Sequence, residues 1–242
     1  MTNEAMATIQ ERFKPVLARF LGSNTIAKLQ NGDLTIEQYR SIMRQIFHHT
    51  RENPQLQALA TVHFRGHQRK AIKRFYRHAS SEIGHDQLAL NDYKTLDGDP
   101  AAVPYENPLP ATLGVLSFGF YQIYNLNHLG YLGYLFFLEY MPTSSGGGMM
   151  QALEAAGVPD DAMTFLNDHT EIDVGHNKLM ETYVADLIKN ERQIDTVVSA
   201  MHTTGDLYAK MLDDAVDFAD KPYDVGWNWQ ELEADGITPS DL

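Results

Sequence analysis

Cysteine is absent from all 242 residues of the chain. Disulfides, thiolate metal ligands, iron–sulfur clusters and cysteine nucleophiles are therefore excluded. Basic residues are scarce as well, because 19 Lys and Arg stand against 32 Asp and Glu and the formal net charge is −13. A surface of that charge repels nucleic acid and anionic membranes, so we expect neither as a partner.

Long hydrophobic runs are also missing. The longest apolar stretch, from Leu129 to Met141, contains glycines and a glutamate and is too short to span a bilayer. The first residues do not form the pattern of a secretory signal. Together these features predict a cytoplasmic protein, and a hydrophobic content of 43% predicts a sizeable core.

Apolar residues recur at helical spacing along most of the chain, and alternating β-branched segments are lacking. We therefore predict an all-α protein, a bundle of about seven helices. A single helical domain is expected over residues 1–218. Residues 219–242 are expected to form an acidic C-terminal tail that docks through Trp227 or Trp229.

Glycine, proline and capping residues predict where the helices begin and end. The predicted helices are one that ends at Gly22, one from an N-cap at Thr35 to Pro54, a short one over 56–60, and others over 69–96, 111–140, up to Gly157, from Pro159, and over 193–218. Bends are expected at Gly130 and Gly133. The glycine-rich residues 144–148 predict a flexible link.

A histidine, acid, histidine pattern occurs twice. The two copies are His78-x3-Glu82-x2-His85 and His169-x3-Asp173-x2-His176. At about 100° per residue these offsets place each triplet on one face of a helix. Imidazole nitrogens and carboxylate oxygens, without thiolates, suit iron, manganese or zinc. The doubled triplet thus predicts a metal site, and a redox-active di-iron site is the leading interpretation.

A binuclear site in a helical bundle needs at least one further acid. Glu139 is the best candidate, because it lies in the apolar run 134–140, where burial would be costly without a cation. The alternative is that Glu139 reaches water at a frayed helix end. His78 is interpreted as a weak third ligand, a residue beside the ligands or a surface residue.

Several other side chains keep two interpretations. Asp86, Asp168 and Glu171 are substitute ligands on neighbouring faces, and one of His48 and His49 is either a residue that shapes the pocket or moves a proton, or a core or surface residue. His128 is too distant from Glu139 to share a metal with it. The other residues are the oxidisable or core tyrosines Tyr121, Tyr124, Tyr131 and Tyr134, and the basic residues from Arg65 to Arg77. The basic residues either bind a substrate carboxylate or form a solvated helix face.

Four segments resemble the haem-oxygenase-like helical superfamily, and within it the non-haem di-iron oxidase and oxygenase branch, also known as iron-containing redox enzymes. They are Tyr39-Arg-x4-Gln45-x2-His48-His49, Ser81-Glu82-Ile-Gly-His85-Asp86, Phe137-Leu-Glu139 and His169-x3-Asp173-x2-His176. The resemblance covers about residues 8 to 218.

The resemblance implies both a ligand set and a reaction. The implied iron ligands are Glu82, His85, Glu139, His169, Asp173 and His176, with His48 and His78 beside them. Two irons are implied, with manganese as an alternative in one position and dioxygen as co-substrate. Relatives of this kind oxidise or cleave small amine- or carboxylate-bearing molecules, including fatty acids and precursors of p-aminobenzoate. A homodimer is also implied.

Other branches of the superfamily fit less well. TENA/THI-4 thiaminases use a cysteine, which this chain lacks, and haem oxygenases need a histidine in the first helix, whereas the first histidine here is His48. A cofactorless oxidase resembling pyrroloquinoline-quinone synthase is the main alternative, since it would use basic and histidine side chains. A non-catalytic binding module is the second alternative.

Overall fold

Within residues 2–219, the helical periodicity of the sequence corresponds to a bundle of nine α-helices. The computed structural model describes the backbone of residues 2–219 and the side chains of the same residues except 2–3 and 171–174. The helices are α1 Thr2–Leu21, α2 Asn24–Asn31, α3 Ile36–Ala60, α4 Arg69–Glu82, α5 His85–Thr95, α6 Pro110–Tyr121, α7 Tyr131–Ala155, α8 Thr164–Leu187 and α9 Glu191–Asp217. No strand occurs within 2–219, so the all-α prediction is confirmed.

The start of α3 follows the predicted cap. Thr35 accepts a hydrogen bond from the backbone N–H of Gln38 at 3.2 Å, and the Gln38 side chain accepts one from the backbone N–H of Thr35 at 3.1 Å. This reciprocal pair is a capping box, which satisfies two backbone donors at the helix terminus. The predicted stop of α1 at Gly22 is also confirmed, since α1 ends at Leu21.

The predicted end of α3 at Pro54 is wrong. The helix continues through Pro54 to Ala60, although proline removes one backbone hydrogen bond. Leu56, Gln57 and Ala60 are all buried on the continuing helix, and this packing outweighs the lost bond. As a result α3 is one continuous helix of 25 residues.

The predicted helix over 69–96 is divided in two. α4 ends at Glu82 and α5 begins at His85, because Gly84 has a φ of +100°. Glycine has no Cβ and adopts this left-handed conformation without strain, and the right-handed helix therefore ends before it. The prediction that the first triplet lies on one helix is therefore wrong, since His85 follows the break.

The predicted helix over 111–140 is interrupted as well. After α6 the chain forms a π-helix over Gln122–Leu126 and a 3₁₀ turn over His128–Gly130 before α7 begins. The Gln122 side chain donates to the carbonyl of Asn127 at 2.6 Å, and the Asn127 side chain accepts from the N–H of Leu129 at 3.0 Å. These bonds satisfy backbone groups where the helix is interrupted.

The glycine-rich residues 144–148 are helical within α7, so the predicted flexible link is wrong. A Cβ at Gly146 would lie 2.4 Å from Oγ1 of Thr170 on α8, which shows how closely the two helices approach. Small residues here permit that approach. α8 itself begins at Thr164, after a 3₁₀ turn, rather than at Pro159.

α7 occupies the middle of the bundle. It packs against α8 and α9, while α3 contacts α4, α5, α6 and α9, and α1 packs on α9. Phe136 and Phe137 of α7 are fully buried in the core. No helix among the described residues is long and apolar enough to cross a membrane. The predicted tail, including Trp227 and Trp229, lies outside the described residues.

Candidate metal centre

Four helices bring histidines and acids together in the bundle interior. Glu82 is the last residue of α4 and His85 the first of α5, so the break at Gly84 turns both toward one place. Glu139 comes from α7, and His169 comes from α8. The donor atoms form two groups that share Glu82, and in each group they lie within 4.8 Å of one another.

The first group consists of His78, Glu82, Glu139 and His176. Nε2 of His78 lies 3.3 Å from Oε1 of Glu82 and 3.0 Å from Oε1 of Glu139. Nδ1 of His176 lies 3.0 Å from Oε2 of Glu139 and 3.6 Å from Oε1 of Glu82. His78 is therefore as close to both carboxylates as His176 is.

The second group consists of Glu82, His85 and His169. Nδ1 of His85 lies 3.1 Å from Oε2 of Glu82, so the two oxygens of Glu82 face different histidines. Nδ1 of His169 bonds the carbonyl of Phe165 at 2.7 Å. Because a carbonyl only accepts, Nδ1 carries the proton and Nε2 keeps a lone pair for a ligand.

A metal ion fits this donor set. Nε2 of His78, Oε1 of Glu82 and Nδ1 of His85 face one another, and all three atoms are buried with no hydrogen-bond partner among the described residues. Buried polar atoms in that state are costly unless something binds them. Nitrogen and oxygen donors in these proportions suit iron, manganese or zinc.

Among the described residues, histidines are the charge partners of the acids in the cluster. Among the described residues the ion-pair partners of Glu82 and Glu139 are histidines, not lysine or arginine. Burial opposes ionisation of Glu82, but the contacts with His78 and His85 outweigh it and lower the pKa of Glu82. Burial likewise opposes ionisation of Glu139, and His176 and His78 lower its pKa. Both acids are thus carboxylates at neutral pH, as metal ligands must be.

Asp92 on α5 holds the start of α8. Its carboxylate accepts hydrogen bonds from the backbone N–H groups of Thr164 and Phe165, both at 2.9 Å, and from the Thr164 hydroxyl. These donors belong to the first turn of α8, where backbone N–H groups lack partners within the helix. Sequence analysis missed Asp92, because nothing near it in the sequence links it to residues 164–165.

A cavity of about 130 Å³ adjoins the cluster. Glu82, Glu139 and His169 form part of its wall, and the remainder is mostly apolar. The missed helix α2 contributes Ile26 and Leu29. No lysine or arginine is among the described residues that line this cavity.

One strip of the cavity wall is polar and comes from α3. It consists of His49, Thr50, Asn53 and Gln57. Nε2 of His49 lies 2.8 Å from the hydroxyl of Tyr134, which donates to Oδ1 of Asn53 at 2.9 Å. The hydroxyl has one proton, so His49 donates from Nε2 and Nδ1 keeps a lone pair. Burial lowers the pKa of His49 to about 3, which keeps the ring neutral.

Of the pair His48 and His49, one of which was predicted to shape the pocket, His49 lines this cavity and His48 does not. Of the four candidate tyrosines, Tyr131 lines the cavity, Tyr134 is buried and hydrogen-bonded, and Tyr121 and Tyr124 are exposed. Periodicity alone did not separate these positions, because it gives a helix face but not its neighbours.

The remaining candidates lie elsewhere or are not described. Asp86 and Asp168 are half-buried and belong to neither donor group. The side chains of Asp173 and Glu171 lie outside the described side chains, so their predictions stay untested. His128 stacks on His63, with ring centroids 5.2 Å apart, in another part of the molecule.

Structures with the same fold are known. A domain of unknown function with a haem oxygenase-like fold from Shewanella denitrificans OS217 has a TM-score of 0.78 and 24% identity, over 98% of this chain and 97% of that one. A TenA homologue from P. horikoshii OT3 has a TM-score of 0.72 and 11% identity, over 88% and 98%. A CADD-like protein of unknown function from Nostoc punctiforme PCC 73102 has a TM-score of 0.64 and 15% identity, over 88% and 99%.

Similarity at the level of sequence identifies the family. No functionally curated protein matches the chain significantly. The family model of iron-containing redox enzymes matches residues 40–209, well over half of the chain and every residue of both donor groups. The chain therefore belongs to the iron-containing redox enzyme family, and its fold is haem oxygenase-like.

Proposed function

We propose that this protein is a non-haem di-iron oxidase or oxygenase, which uses dioxygen to oxidise or cleave a small amine- or carboxylate-bearing molecule. One observation carries the proposal. Two groups of donor atoms meet at Glu82, and each oxygen of that carboxylate faces the histidine of a different group. Glu82 would therefore help to hold metal in both groups.

The ligands divide between the two groups. His78, Glu82, Glu139 and His176 would hold one iron, and Glu82, His85 and His169 the other. Asp173 is proposed as an additional ligand from its place in the second triplet. Manganese is an alternative metal in one position. When bound, two ferrous ions would supply the electrons that reduce dioxygen.

The protein itself binds and orients the substrate. The apolar wall of the cavity excludes water and accepts the hydrocarbon part of a substrate. With no described lysine or arginine on the wall, a polar head group would turn toward the cluster or toward α3. The lone pair of His49 Nδ1 would accept a hydrogen bond from that head group.

A cofactorless oxidase resembling pyrroloquinoline-quinone synthase has less support. Such an enzyme would bind its substrate through basic and histidine side chains, and the described cavity wall has histidines but no lysine or arginine. A binding module would not need three donor atoms of the cluster that, among the described residues, have no hydrogen-bond partner in the interior. We further assign the enzyme to the cytoplasm, with a small molecule as its partner and a homodimer as its assembly.

Anaerobic addition of ferrous iron to metal-free protein, followed by an oxygen pulse, tests the proposal. We expect about two irons per chain and oxygen consumption that depends on them. Glu82→Gln should abolish both, whereas Asp86→Asn, which removes a charge from the same segment, should retain both. A stable protein that binds no iron tightly would contradict the proposal and favour the cofactorless oxidase or the binding module.

A further inference from the structure

A second region of the molecule is built around positive charge. The segment 53–81 contains six of the 19 Lys and Arg residues and no acid, in a chain whose net charge is −13. Within this segment, two short 3₁₀ turns, Thr61–His63 and Gly66–Gln68, lead into α4. The proposed iron site does not account for this concentration of charge.

The 3₁₀ turns of this segment border an open cavity of about 580 Å³. The opposite wall comes from His128 and from the end of α8 and the start of α9. The side chains of the wall that carry or can accept positive charge are Arg65, Lys70, Lys189, His63, His67 and His128. A cavity of this size is within the range of small-molecule sites.

Negative charge on the same wall is already compensated. Asp186 is the one acid among the described lining residues, and it pairs with Arg74 of α4. Within residues 2–219 no ion pair is recorded for Arg65, Lys70 or Lys189, although Nζ of Lys189 donates to the carbonyl of Ala185. Among the described residues, three cations thus share one cavity without a matching anion.

Two histidines add a partly buried edge to the cavity. The rings of His63 and His128 stack with centroids 5.2 Å apart and an interplanar angle of 30°. Nε2 of His63 is buried and has no hydrogen-bond partner among the described residues. Burial and the nearby His63 and Arg65 lower the pKa of His128, which is consistent with a positive local potential.

We propose that this cavity binds a phosphate-bearing small molecule. Arg65 offers the planar, multiple donors that suit phosphate oxygens, and Lys70 and Lys189 add charge on two sides of the cavity. The apolar side chains Leu129 and Leu187 give the body of such a ligand a surface to contact. The proposal does not depend on the iron site, because its residues are not among the donor groups.

Titration of the protein with inorganic phosphate and with phenyl phosphate tests the site. Histidine NMR signals and calorimetry monitor the binding. We expect saturable binding that shifts the signals of His63 and His128. The double variant Arg65→Gln/Lys70→Gln should weaken binding roughly tenfold, because it removes a few exposed charge contacts with the phosphate. Lys73→Gln with Arg77→Gln changes the charge equally on exposed α4 positions outside this cavity and should leave affinity nearly unchanged.

Three results would overturn the proposal. The first is no saturable binding of either phosphate. The second is an equal loss in both double variants, since that indicates a diffuse potential instead of a site. The third is binding of phosphatidic acid vesicles without binding of the soluble phosphates. All four substituted side chains are exposed, so the variants should fold, which thermal unfolding can verify.

Discussion

The carboxylate of Asp92 accepts the backbone N–H of Thr164 at 2.9 Å, across 72 positions of sequence. This bond fixes the first turn of α8 against α5. The same turn contains Phe165, whose carbonyl orients the ring of His169. Asp92 therefore acts on the donor cluster through the backbone, without belonging to it.

Replacing Asp92 should weaken both the fold and the cluster. We expect Asp92→Ala to lower the free energy of unfolding by about 1–3 kcal/mol, because the turn loses its cap and buried donors lose their acceptor. Asp161→Ala, an exposed acid close in the sequence to α8, should change it little. Urea unfolding of the two metal-free variants compares them. Equal stability would contradict this role for Asp92.

Two glycines of α7 should respond oppositely to alanine. A Cβ at Gly133 would lie 2.0 Å from the carbonyl oxygen of Val197 on α9, so Gly133→Ala should force the helices apart and cost about 2 kcal/mol or more. At Gly147 nothing lies within 4 Å, and Gly147→Ala should stabilise the helix by about 1 kcal/mol. Thermal unfolding measures both. Destabilisation by Gly147→Ala would show that residues 144–148 are not helical.

Acid should destabilise the protein through its buried histidines. Burial, with Arg51 and Arg44 nearby, lowers the pKa of His48 to about 3. Above pH 6.5 the His48 ring is neutral in both the folded and the unfolded chain. Below it the unfolded chain binds a proton that the folded chain excludes, so the free energy of unfolding falls by roughly 1 kcal/mol per pH unit until about pH 3.

His48→Leu isolates this contribution. Both ring nitrogens of His48 are buried without hydrogen-bond partners among the described residues, so leucine removes no recorded bond. We expect a shallower loss of stability between pH 6 and 5, measured by urea unfolding of metal-free protein. His67→Gln, at an exposed position, should leave the slope unchanged. An unchanged slope for His48→Leu would mean that the ring is protonated in the folded state.

The two donor groups should lose metal separately. His78 belongs only to the group with Glu139, and His85 only to the group with His169. We therefore expect His78→Gln and His85→Gln each to reduce bound iron from about two to about one per chain. Iron counting after ferrous addition measures this. If His78→Gln retained both irons, His78 would support the cluster without binding metal.

Features governed by local chemistry were predictable from the sequence. The Thr35 cap depends on a residue three positions away, and α9 spans 191–217 against a prediction of 193–218. The doubled histidine pattern identified most of the residues that converge. For the cap and for the bounds of α9, the physical cause lies within one or two helical turns of the residue.

The structure differs from the sequence predictions where contacts between residues far apart in the sequence determine the conformation. Pro54 predicts a break, but burial of Leu56 maintains α3. Gly84 was interpreted as part of a helix, although its backbone is left-handed and its effect is to separate Glu82 from His85. His78 could be assigned a position only once Glu139 of another helix was located beside it. No local pattern encodes such contacts.

The donor atoms of the cluster come from residues 78–85, 139 and 169–176, three segments that the unfolded chain does not hold together. A metal ion with affinity for this cluster will bind the folded chain in preference to the unfolded one. By mass action, each tenfold rise in its free concentration above the dissociation constant then adds about 1.4 kcal/mol of stability per ion. The amount of folded protein in a cell would thereby depend on how much of that metal the cell supplies.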